Sequence, residues 1–514
     1  MAKDKAKLTV FRYNPEEDER PYYKDYEIPF EVGMTVLDTL NYIYENYDGS
    51  LAYVYGCRYG FCGSCALKVN GKPVLICRKL ATKEMKIEPL DNFPVVRDLV
   101  VDREGFERKV KEIRPFLQRI APPTKEPEVL RPAEFESFRI VSRCIGCLGC
   151  VSSCPVVSED VYGYPGPALM VELARYAFDT RDKGDRITTA CFEGLYNCTG
   201  CGKCKEICPH EIDIPRLVIE RIREKAVLEN IKPPALNEEV NLITSTGKAF
   251  SAPKKSSLLA QISSSIEVKN SVFSVALFVG CFIDRVRSLQ NSGRAAIEIL
   301  RKNKIKVVIP KEQVCCGRPL LEIGERRKIE DLVRKNVLLF EETGIKQVVS
   351  LCSGCSLTLK EEYPSIFKKL EGREPKFKVY DITEFLAKKV KLDAEEMKSL
   401  NLRVTYHDPC LLNRNQGISK EPRELIKSIP GIELIEMEEP DRCCGGGGVI
   451  RLTNHRLAQA IGRRKVKTIQ DTEAEVVVTP CPLCILQINE NLRRQGISKI
   501  KTIHLTELLD KAYK

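Results

Sequence analysis

The sequence reads Cys144-Ile-Gly-Cys147-Leu-Gly-Cys150-Val-Ser-Ser-Cys154-Pro155, and the same spacing recurs in Cys198-Thr-Gly-Cys201-Gly-Lys-Cys204-Lys-Glu-Ile-Cys208-Pro209. Runs of this spacing are typical of [4Fe–4S] sites, and in tandem pairs the fourth cysteine of each run ligates the cluster of the other run. We therefore expect one cluster to be held by Cys144, Cys147, Cys150 and Cys208. The other is expected on Cys198, Cys201, Cys204 and Cys154. Zinc is the alternative metal for such cysteines.

A third cysteine set precedes these runs and has a different spacing. Four residues separate Cys57 from Cys62, two separate Cys62 from Cys65, and the set ends at Cys77. This order is typical of a plant-type [2Fe–2S] site. Glycines at positions 56, 60 and 63 allow the loop to turn sharply and to point backbone N–H groups at sulfur. A zinc site is the alternative, although zinc prefers two separated cysteine pairs.

A duplication occupies the C-terminal part of the chain. Cys281 and Cys410 are 129 residues apart, Cys315 and Cys443 are 128 apart, and the flanking segments also match. Each half has five cysteines, which are Cys281, Cys315, Cys316, Cys352 and Cys355 in the first half and Cys410, Cys443, Cys444, Cys481 and Cys484 in the second. Adjacent cysteines suit neighbouring irons, and five thiolates exceed the needs of one zinc or one cubane. A structural zinc or one standard cluster per half is the alternative.

The bulk composition indicates a multidomain protein of a reducing compartment. A chain of 514 residues can form several cores without disulfides, and its 23 cysteines follow a polar start that lacks a signal-peptide core. We therefore expect the cytoplasm and no membrane span. The net charge of +11 is also compatible with a nucleic-acid partner. We instead attribute it to balancing thiolate-ligated clusters, which are anionic, and expect no nucleic acid.

Local patterns divide the chain into five segments. Alternating stretches at 7–13 and 25–31, a helical stretch at 35–47 and a strand pair around Asn70-Gly71 predict a small mixed sheet with one helix over 1–105. The strand-poor segment 106–230 predicts a helical domain, with helices at 167–179 and 215–228. The Ser- and Lys-rich segment 245–271 predicts a solvated linker. Segments 272–390 and 400–514 predict two α/β units with cysteines at strand ends and in the loops after them. The predicted class is therefore multidomain α+β.

Residues outside the cysteine sets give weaker indications. No G-x-G-x-x-G lies between a strand and a helix, so a flavin or nicotinamide site, if the reaction needs one, must lie on another polypeptide. Cys191 is interpreted as a small buried hydrophobe. The four histidines, 210, 407, 455 and 504, are scattered. His407 precedes Cys410 by three residues and either tunes that site or is structural.

These motifs make the first 225 or so residues similar to a known family. From Arg12-Tyr-Asn-Pro15 through the [2Fe–2S] loop to Gly166-Pro-Ala168 and the last Cys-Pro, the chain resembles the iron–sulfur subunit of succinate dehydrogenases and fumarate reductases. The resemblance implies a β-grasp plant-type ferredoxin domain followed by an α-helical two-cluster ferredoxin domain. Many relatives lack a cysteine at the position of Cys201 and hold a [3Fe–4S] cluster. The presence of Cys201 in this chain favours a second full [4Fe–4S] cluster.

From about residue 273 onward the chain resembles two copies of the CCG domain, which is found in the catalytic subunit of heterodisulfide reductase. This resemblance implies a noncubane [4Fe–4S] cluster on the five cysteines of each half, with a thiol or disulfide substrate reacting between them. The fusion of both parts resembles the iron–sulfur subunits of the thiol:fumarate reductases of methanogenic archaea. That family oxidises coenzyme M and coenzyme B to their heterodisulfide and passes the electrons to FAD on a flavoprotein fumarate reductase subunit.

Two other functions fit the same cysteines. The first is an iron–sulfur subunit of a quinone-linked succinate, glycolate or glycerol-3-phosphate dehydrogenase, in which electrons pass to a quinone. The second is a relay or zinc-stabilised scaffold that only connects other subunits. Metal content separates the scaffold from the other two, and the electron partner separates the thiol-linked function from the quinone-linked one.

Overall fold

The computed structural model describes residues 4–120, 132–159, 164–251, 253–390, 392 and 395–513. They form two compact units, Met1–Leu195 with Gly202–Ile222 and Tyr196–Cys201 with Arg223–Lys514. Within the described ranges, no helix combines the length and the apolar character that crossing a bilayer requires. All 23 cysteines are free of disulfide bonds. The chain is thus a mixed α/β protein of several domains.

A five-stranded mixed sheet begins the first unit. Its strands are β1 (Lys5–Arg12), β2 (Tyr22–Pro29), β3 (Ala66–Val69), β4 (Lys72–Leu75) and β5 (Glu84–Glu88), in the order β2-β1-β5-β3-β4. Helix α1 (Val36–Asn46) packs on it and begins at a capping box between Thr35 and Asp38. Asn70 and Gly71 have φ values of 48° and 76°, which a tight turn between β3 and β4 requires. The strands and the helix predicted from the sequence are confirmed.

Short helices dominate the rest of the first unit. After the two-stranded ribbon of β6 (Val95–Arg97) and β7 (Val100–Val101), the helices are α2 (Glu104–Glu112), α3 (Pro132–Ser142), α4 (Gly149–Ser152), α5 (Pro167–Ala177), α6 (Arg186–Phe192), α7 (Lys203–Glu206) and the start of α8 (Glu220–Leu228), whose residues from Arg223 onward belong to the second unit. A π-helical turn, Ile214–Ile219, leads directly into α8. No strand occurs among the described residues between 102 and 230, which confirms the helical prediction.

The first repeat of the second unit alternates strands and helices. Its elements are α9 (Leu236–Thr246), α10 (Leu258–Gln261), β8 (Ser265–Ile266), β9 (Phe273–Phe278), α11 (Cys281–Arg285), α12 (Gln290–Lys302), β10 (Ile305–Val308), α13 (Arg318–Ile323), α14 (Glu330–Glu342), β11 (Gln347–Ser350), α15 (Ser353–Glu361), α16 (Tyr363–Glu371), β12 (Lys378–Asp381) and α17 (Ile382–Lys389). The strand order is β12-β11-β9-β10-β8, and β8 alone is antiparallel to its neighbour.

The second repeat follows the same plan. Its elements are β13 (Leu402–Tyr406), α18 (Cys410–Gln416), α19 (Lys420–Lys427), β14 (Ile432–Leu434), α20 (Ile450–Thr453), α21 (His455–Gln470), β15 (Val476–Val478), α22 (Pro482–Arg494), β16 (Lys501–Ile503) and α23 (Leu505–Tyr513). The order β14-β13-β15-β16 is entirely parallel and matches β10-β9-β11-β12 of the first repeat. The predicted pair of α/β units is confirmed, because helices connect the parallel strands in both.

The cysteines of the repeats follow the carboxyl ends of parallel strands. Cys281 follows β9, Cys352 follows β11, Cys410 follows β13 and Cys481 follows β15. The strands themselves are buried and packed between helices, as in parallel sheets generally. Side chains that follow adjacent parallel strands meet at one edge of the sheet, and this topology brings the cysteines of each repeat together.

The segment predicted to be a solvated linker, 245–271, is instead folded over much of its length. Leu258 and Leu259 are buried in the core of the first repeat, and β8 pairs with β10. Ser257 caps α10 and donates a 2.6 Å hydrogen bond to the buried carboxylate of Asp284. Two adjacent leucines give little periodicity, so their burial was not visible in the sequence. The predicted domain boundaries themselves stay predictions.

Candidate iron–sulfur sites

The [2Fe–2S] candidate loop in the first unit points backbone donors at sulfur. Cys57 Sγ accepts hydrogen bonds from the backbone N–H groups of Tyr59, Phe61 and Cys62, with donor–acceptor distances between 3.3 and 3.4 Å. The backbone N–H groups of Cys57 and Ser64 donate to Cys62 and lower the pKa of its thiol to about 6. Several N–H groups aimed at one sulfur favour a thiolate, which is the form that binds iron.

Two buried cysteines complete this set. The thiols of Cys65 and Cys77 are hydrogen-bonded, and Cys62 contributes to the electrostatic environment of Cys65. Burial raises the pKa of Cys65 to about 12, so this thiol stays protonated unless a metal replaces the proton. The structure therefore brings together the four cysteines predicted for the [2Fe–2S] cluster, and their donor set fits that cluster.

The first [4Fe–4S] candidate set also gathers within the first unit. One largely apolar cavity is lined by Cys144, Cys147, Cys150 and Cys208. Burial raises the pKa of Cys150 well above its usual value, and the other three thiols raise it further. Four thiols that cannot ionise together in an apolar cavity fit a cationic cluster core.

The loops of these two sites approach each other at a glycine. A Cβ on Gly63 would lie 2.7 Å from the carbonyl oxygen of Ile145 and 3.0 Å from the Cα of Cys147. Gly63 also has a φ of +71°, which disfavours other residues. The glycine therefore keeps the [2Fe–2S] loop in contact with the first cysteine run.

The second [4Fe–4S] set is divided between the units. Cys154 and Cys204 belong to the first unit and are buried there. Cys198 and Cys201 belong to the second unit, in which Gly200 N–H donates to Cys198 Sγ at 3.4 Å. The assignment of these four cysteines to one cluster stays a prediction.

The first repeat brings its five cysteines into one buried group. Hydrogen bonds between thiols join Cys281 to Cys315, Cys315 to Cys316, Cys316 to Cys355, and Cys355 to Cys352. Backbone N–H groups of Ala249, Gly317 and Arg318 donate to Cys281, Cys315 and Cys316, respectively. A group of five buried thiols with backbone donors fits a multi-iron centre better than a single tetrahedral zinc.

The second repeat repeats this arrangement. Hydrogen bonds join Cys443 to Cys444 and Cys484 to Cys481, and the sulfurs of Cys444 and Cys484 are 3.6 Å apart. Cys410 is half-buried beside Cys443, and desolvation raises its pKa well above the usual value. Gly445 N–H donates to Cys443 Sγ at 3.4 Å. The five thiols fit the same kind of centre as in the first repeat.

The two groups of the second unit meet. The thiol of Cys352 in the first repeat is hydrogen-bonded to that of Cys481 in the second. The repeats therefore place their two candidate sites side by side rather than at separate surfaces.

A histidine, His407, lies beside the cysteines of the second repeat. His407 is buried, and its ligand nitrogen lies within 4.8 Å of the sulfurs of both Cys444 and Cys484. Its Nδ1 has no hydrogen-bond partner among the described residues, and burial lowers its pKa to about 3. This placement supports the interpretation of His407 as a residue that tunes the site.

Sequence reasoning missed Lys465, which lies on the buried face of α21. Its Nζ donates to the carbonyl of Glu439 at 2.6 Å, and burial lowers its pKa to about 8. Its ammonium group also acts electrostatically on Cys444. The available signal in the sequence was a lysine among the buried positions of an amphipathic helix.

Cys191, which was interpreted as a small buried hydrophobe, lies in α6 and is half-buried.

Comparison with known families agrees with these sites. The 2Fe-2S iron-sulfur cluster binding domain family matches residues 7–108, and the 4Fe-4S dicluster domain family matches residues 140–212. The cysteine-rich domain family matches twice, at residues 275–360 and 404–489. Together with the buried cysteine groups, these matches define an iron–sulfur protein with a [2Fe–2S] domain, a [4Fe–4S] dicluster domain and a duplicated cysteine-rich domain.

Whole-chain relatives narrow this class. One of the fumarate reductase (CoM/CoB) B subunits, that of Methanothermobacter marburgensis, is 38% identical over 507 residues, which cover 98% of this chain and 99% of the relative. An uncharacterized iron-sulfur protein of Methanococcus maripaludis is 40% identical over 499 residues, covering 95% of this chain and 97% of that protein. The fumarate reductase iron-sulfur subunit of Mycobacterium tuberculosis is 37% identical over 45% of this chain and 96% of its own length. The protein is thus an oxidoreductase subunit, and it belongs to the family of fumarate reductase (CoM/CoB) B subunits.

Proposed function

We propose that this chain is the iron–sulfur subunit of a thiol:fumarate reductase. At the cysteines of the two repeats, coenzyme M and coenzyme B are oxidised to their heterodisulfide. The electrons are relayed to FAD on a flavoprotein partner, which reduces fumarate to succinate. The observation that carries this proposal is the group of ten thiols, nine of them buried, at which the two repeats meet through Cys352 and Cys481. The relative from Methanothermobacter marburgensis, which is named for a CoM/CoB fumarate reductase, supports it.

The reaction balances without another oxidant. Two thiols lose two protons and two electrons when their sulfurs join, and fumarate gains two protons and two electrons when it becomes succinate. The thiol end must accept a pair of electrons, and the relay must pass them on singly. A protein that joins cysteine-rich repeats to ferredoxin-type sites is suited to this division of labour.

The cofactors of this proposal are one [2Fe–2S], two [4Fe–4S] and two noncubane [4Fe–4S] clusters, with FAD on the partner. When bound, the clusters accept and release single electrons. The sheet β1–β5 with α1 supports the β-grasp fold of a plant-type ferredoxin over 1–105. The short helices that surround Cys144, Cys147 and Cys150 support the two-cluster ferredoxin fold over 106–230.

The residues of the chain would perform three tasks at the repeats. They hold the centres through buried thiols, exclude water, and direct backbone N–H groups of Ala249, Gly317 and Gly445 at the sulfurs. Such donors stabilise a more negative, reduced site. In the second repeat, His407 and Lys465 add a polar and a cationic group beside Cys444.

The other end of the relay carries exposed aromatic residues. Tyr59 and Phe61, on the [2Fe–2S] loop, are each 72% exposed. Aromatic side chains of this kind are enriched at the centres of protein interfaces. They support docking of the flavoprotein partner at this loop, which brings FAD near the last carrier of the relay.

An activity assay on the complex with its flavoprotein tests the proposal. With fumarate as acceptor, we expect turnover when coenzyme M and coenzyme B are supplied together, and formation of their mixed disulfide in a 1:1 ratio with succinate. The competing test uses succinate as donor and a soluble quinone analogue as acceptor. Turnover with the quinone but not with the thiols would overturn the proposal and favour the quinone-linked function.

A further inference from the structure

The segment Tyr196–Cys201 packs against the second repeat. The carbonyl of Tyr196 accepts a 3.2 Å hydrogen bond from Thr453 Oγ1, and the carbonyl of Cys201 accepts one of the same length from Arg414 Nη1. Arg414 is itself fixed by Asp441, which lies 2.6 Å from its other terminal nitrogen. Residues of the second repeat therefore hold both ends of the segment that carries two predicted [4Fe–4S] ligands, Cys198 and Cys201.

Two glycines of the second repeat allow this close packing. A Cβ on Gly447 would lie 2.8 Å from the carbonyl oxygen of Thr199, and one on Gly448 would lie 2.6 Å from that of Cys198. Real Cβ atoms do not approach oxygen so closely, so any larger residue must displace the segment. The backbone of the second repeat thus lies directly against the cysteine segment.

The first repeat contacts this segment differently, because the carbonyl of Ile323 accepts a 3.4 Å hydrogen bond from the Tyr196 hydroxyl and no glycine pair stands at the matching positions. Counted from the cysteine pair of each repeat, the positions of Gly447 and Gly448 correspond to Pro319 and Leu320. Leu320 is fully buried in α13. The two repeats share their cysteine spacing, but the first repeat admits a second backbone at a different glycine, Gly324, where a Cβ would lie 2.4 Å from the carbonyl of Arg223 rather than against the cysteine segment.

The segment and the second repeat also contact each other through their cysteine thiols. The thiol of Cys201 is hydrogen-bonded to that of Cys443, and Cys201 also acts electrostatically on Cys410. The first repeat reaches the second through Cys352 and Cys481. The thiols of the second unit therefore form a continuous series of contacts, which begins in the first repeat, passes through the second repeat and ends at Cys201.

Cations lie beside the cysteines of both repeats. The Arg414 guanidinium acts on Cys410, and the buried Lys465 ammonium acts on Cys444. Cations beside a thiolate-ligated site stabilise the state with one more electron. In the first repeat, Lys248 acts in the same way on Cys281 and Arg318 on Cys316, so the route is assigned from the packing and not from charge.

We propose that electrons leave the duplicated half through the second repeat, by direct exchange between the site of Cys443 and Cys444 and the site of Cys198 and Cys201. In each transfer the first site loses one electron and the second gains one, with no proton moved and no bond broken. The first repeat delivers its electrons through Cys352 and Cys481. The direction of flow rests on the proposed function, whereas the contact itself does not depend on the substrate.

Electron paramagnetic resonance on the cluster-loaded full chain tests this route. The sample is poised with a chemical reductant, without thiols or fumarate, so that the ferredoxin-type and second-repeat sites are both paramagnetic. We expect a spin–spin splitting of the ferredoxin-type signal. The splitting should be lost in Cys444→Ser, which disrupts the second repeat, and retained in Cys355→Ser, which disrupts the first. The reverse pattern would overturn the proposal.

A glycine variant tests the contact without removing a ligand. Gly447→Val should weaken or abolish the splitting while the iron content remains that of the unchanged protein, because the valine displaces the segment at Thr199. Gly447→Ala serves if the valine variant does not fold. Gly105→Ala is the matched control, since its Cβ meets open space in α2. An undiminished splitting in a folded Gly447 variant would contradict the proposal. Because no thiol is present, this result is independent of the thiol assay.

Discussion

The two repeats have the same cysteine spacing but different surroundings. Three residues before the first cysteine, β9 ends in Phe278 whereas the second repeat has His407. After the cysteine pair, Pro319 and Leu320 stand where the second repeat has glycines. The ligands determine what kind of centre can form, and the neighbours determine what the centre contacts and how readily it is reduced. Two cysteine groups that arose by duplication therefore need not have the same role.

The loops before the cysteine pairs show the same divergence. In the first repeat, Asn336 of α14 accepts the Val314 N–H at 2.9 Å and donates to the carbonyls of Val314 and Cys315. In the second repeat, Lys465 of α21 donates to the carbonyls of Glu439 and Pro440. A neutral amide and a cation thus hold equivalent loops. Only the cation also adds charge next to the sulfurs.

The largest expected effect comes from removing one ligand in each repeat. We expect Cys316→Ser and Cys444→Ser each to abolish thiol oxidation, because the two thiols must react at adjacent sites. Fumarate reduction by the complex with an artificial electron donor should survive in both variants, because the ferredoxin-type sites are untouched. The activity of each variant with thiols and with the artificial donor checks this. Unchanged thiol oxidation in either variant would show that its repeat is only structural.

Iron analysis sharpens the same comparison. One two-iron and four four-iron sites correspond to about 18 irons per chain. Each of the two serine variants should lose up to about four irons, and the loss should be of similar size in the two repeats. Zinc in both repeats of the unchanged protein would remove the redox role from the duplicated half.

Stability should distinguish the two loop anchors. We expect Asn336→Leu and Lys465→Met each to lower the free energy of unfolding by about 3 kcal/mol, because each leaves buried backbone groups without partners. Thermal unfolding of the anaerobic holoprotein measures the change. Lys465→Met should also shift the potential of the second site, whereas Asn336→Leu should leave that potential unchanged. Equal redox shifts in both variants would contradict the assigned difference in charge.

The capping residues of the last helix in each repeat predict opposite pH responses. Burial raises the pKa of Asp381, which caps α17, to about 6, so its ionised form opposes folding above that pH. Asp381→Asn should therefore stabilise the protein at pH 8 by about 2 kcal/mol, and the gain should vanish as the pH falls toward 4. Unfolding at several pH values measures this. A gain that does not change with pH would contradict the explanation.

His504 occupies the matching position in the second repeat. The shift of its pKa, and therefore its effect on stability as the pH changes, has the opposite sign to that of Asp381. Its Nδ1 accepts from the Thr506 N–H at 3.2 Å, and burial lowers its pKa to about 4. The unfolded chain binds a proton more readily, so the contribution of His504 is lost as the pH falls from about 6.5 toward 4. His504→Asn should remove this part of the acid sensitivity. An acid-unfolding profile that is unchanged in the variant would contradict this assignment.

The smallest expected effect concerns His407. Removing its imidazole in His407→Phe imitates the first repeat and should lower the potential of the second site by about 50 mV, which corresponds to about 1 kcal/mol of lost interaction between the polar ring and the nearby sulfurs of Cys444 and Cys484. Redox titration followed by electron paramagnetic resonance measures the shift. The reciprocal variant, Phe278→His, is the matched control and should move the first site only. No shift in His407→Phe would mean that the histidine is structural.

Spacing in the sequence was sufficient to predict the cysteine groups and most elements around them. Short-range signals such as Asn70-Gly71 and the capping box at Thr35 act within a few residues, so they could be interpreted without a structure. The duplication in the sequence predicted that Cys281 and Cys410 are equivalent. They occupy equivalent places in the structure because both halves have the same strand order.

Long-range packing could not be predicted in this way. The contact of Cys201 with Cys443 joins residues more than two hundred positions apart, and nothing local marks it. The glycine run at 445–448 is visible in the sequence, but only the structure shows that it admits another backbone. Leu258 was assigned to a linker because its partners, in β9 and α12, lie further along the chain.

The central claim is that the two repeats hold iron that reacts with substrate thiols. Electron paramagnetic resonance of the anaerobically purified chain, oxidised in the presence of coenzyme M or coenzyme B alone, tests it most directly. We expect a new signal that requires the thiol and is absent from Cys444→Ser. Spectra that contain ferredoxin-type signals only, and that do not change when either thiol is added, would contradict it.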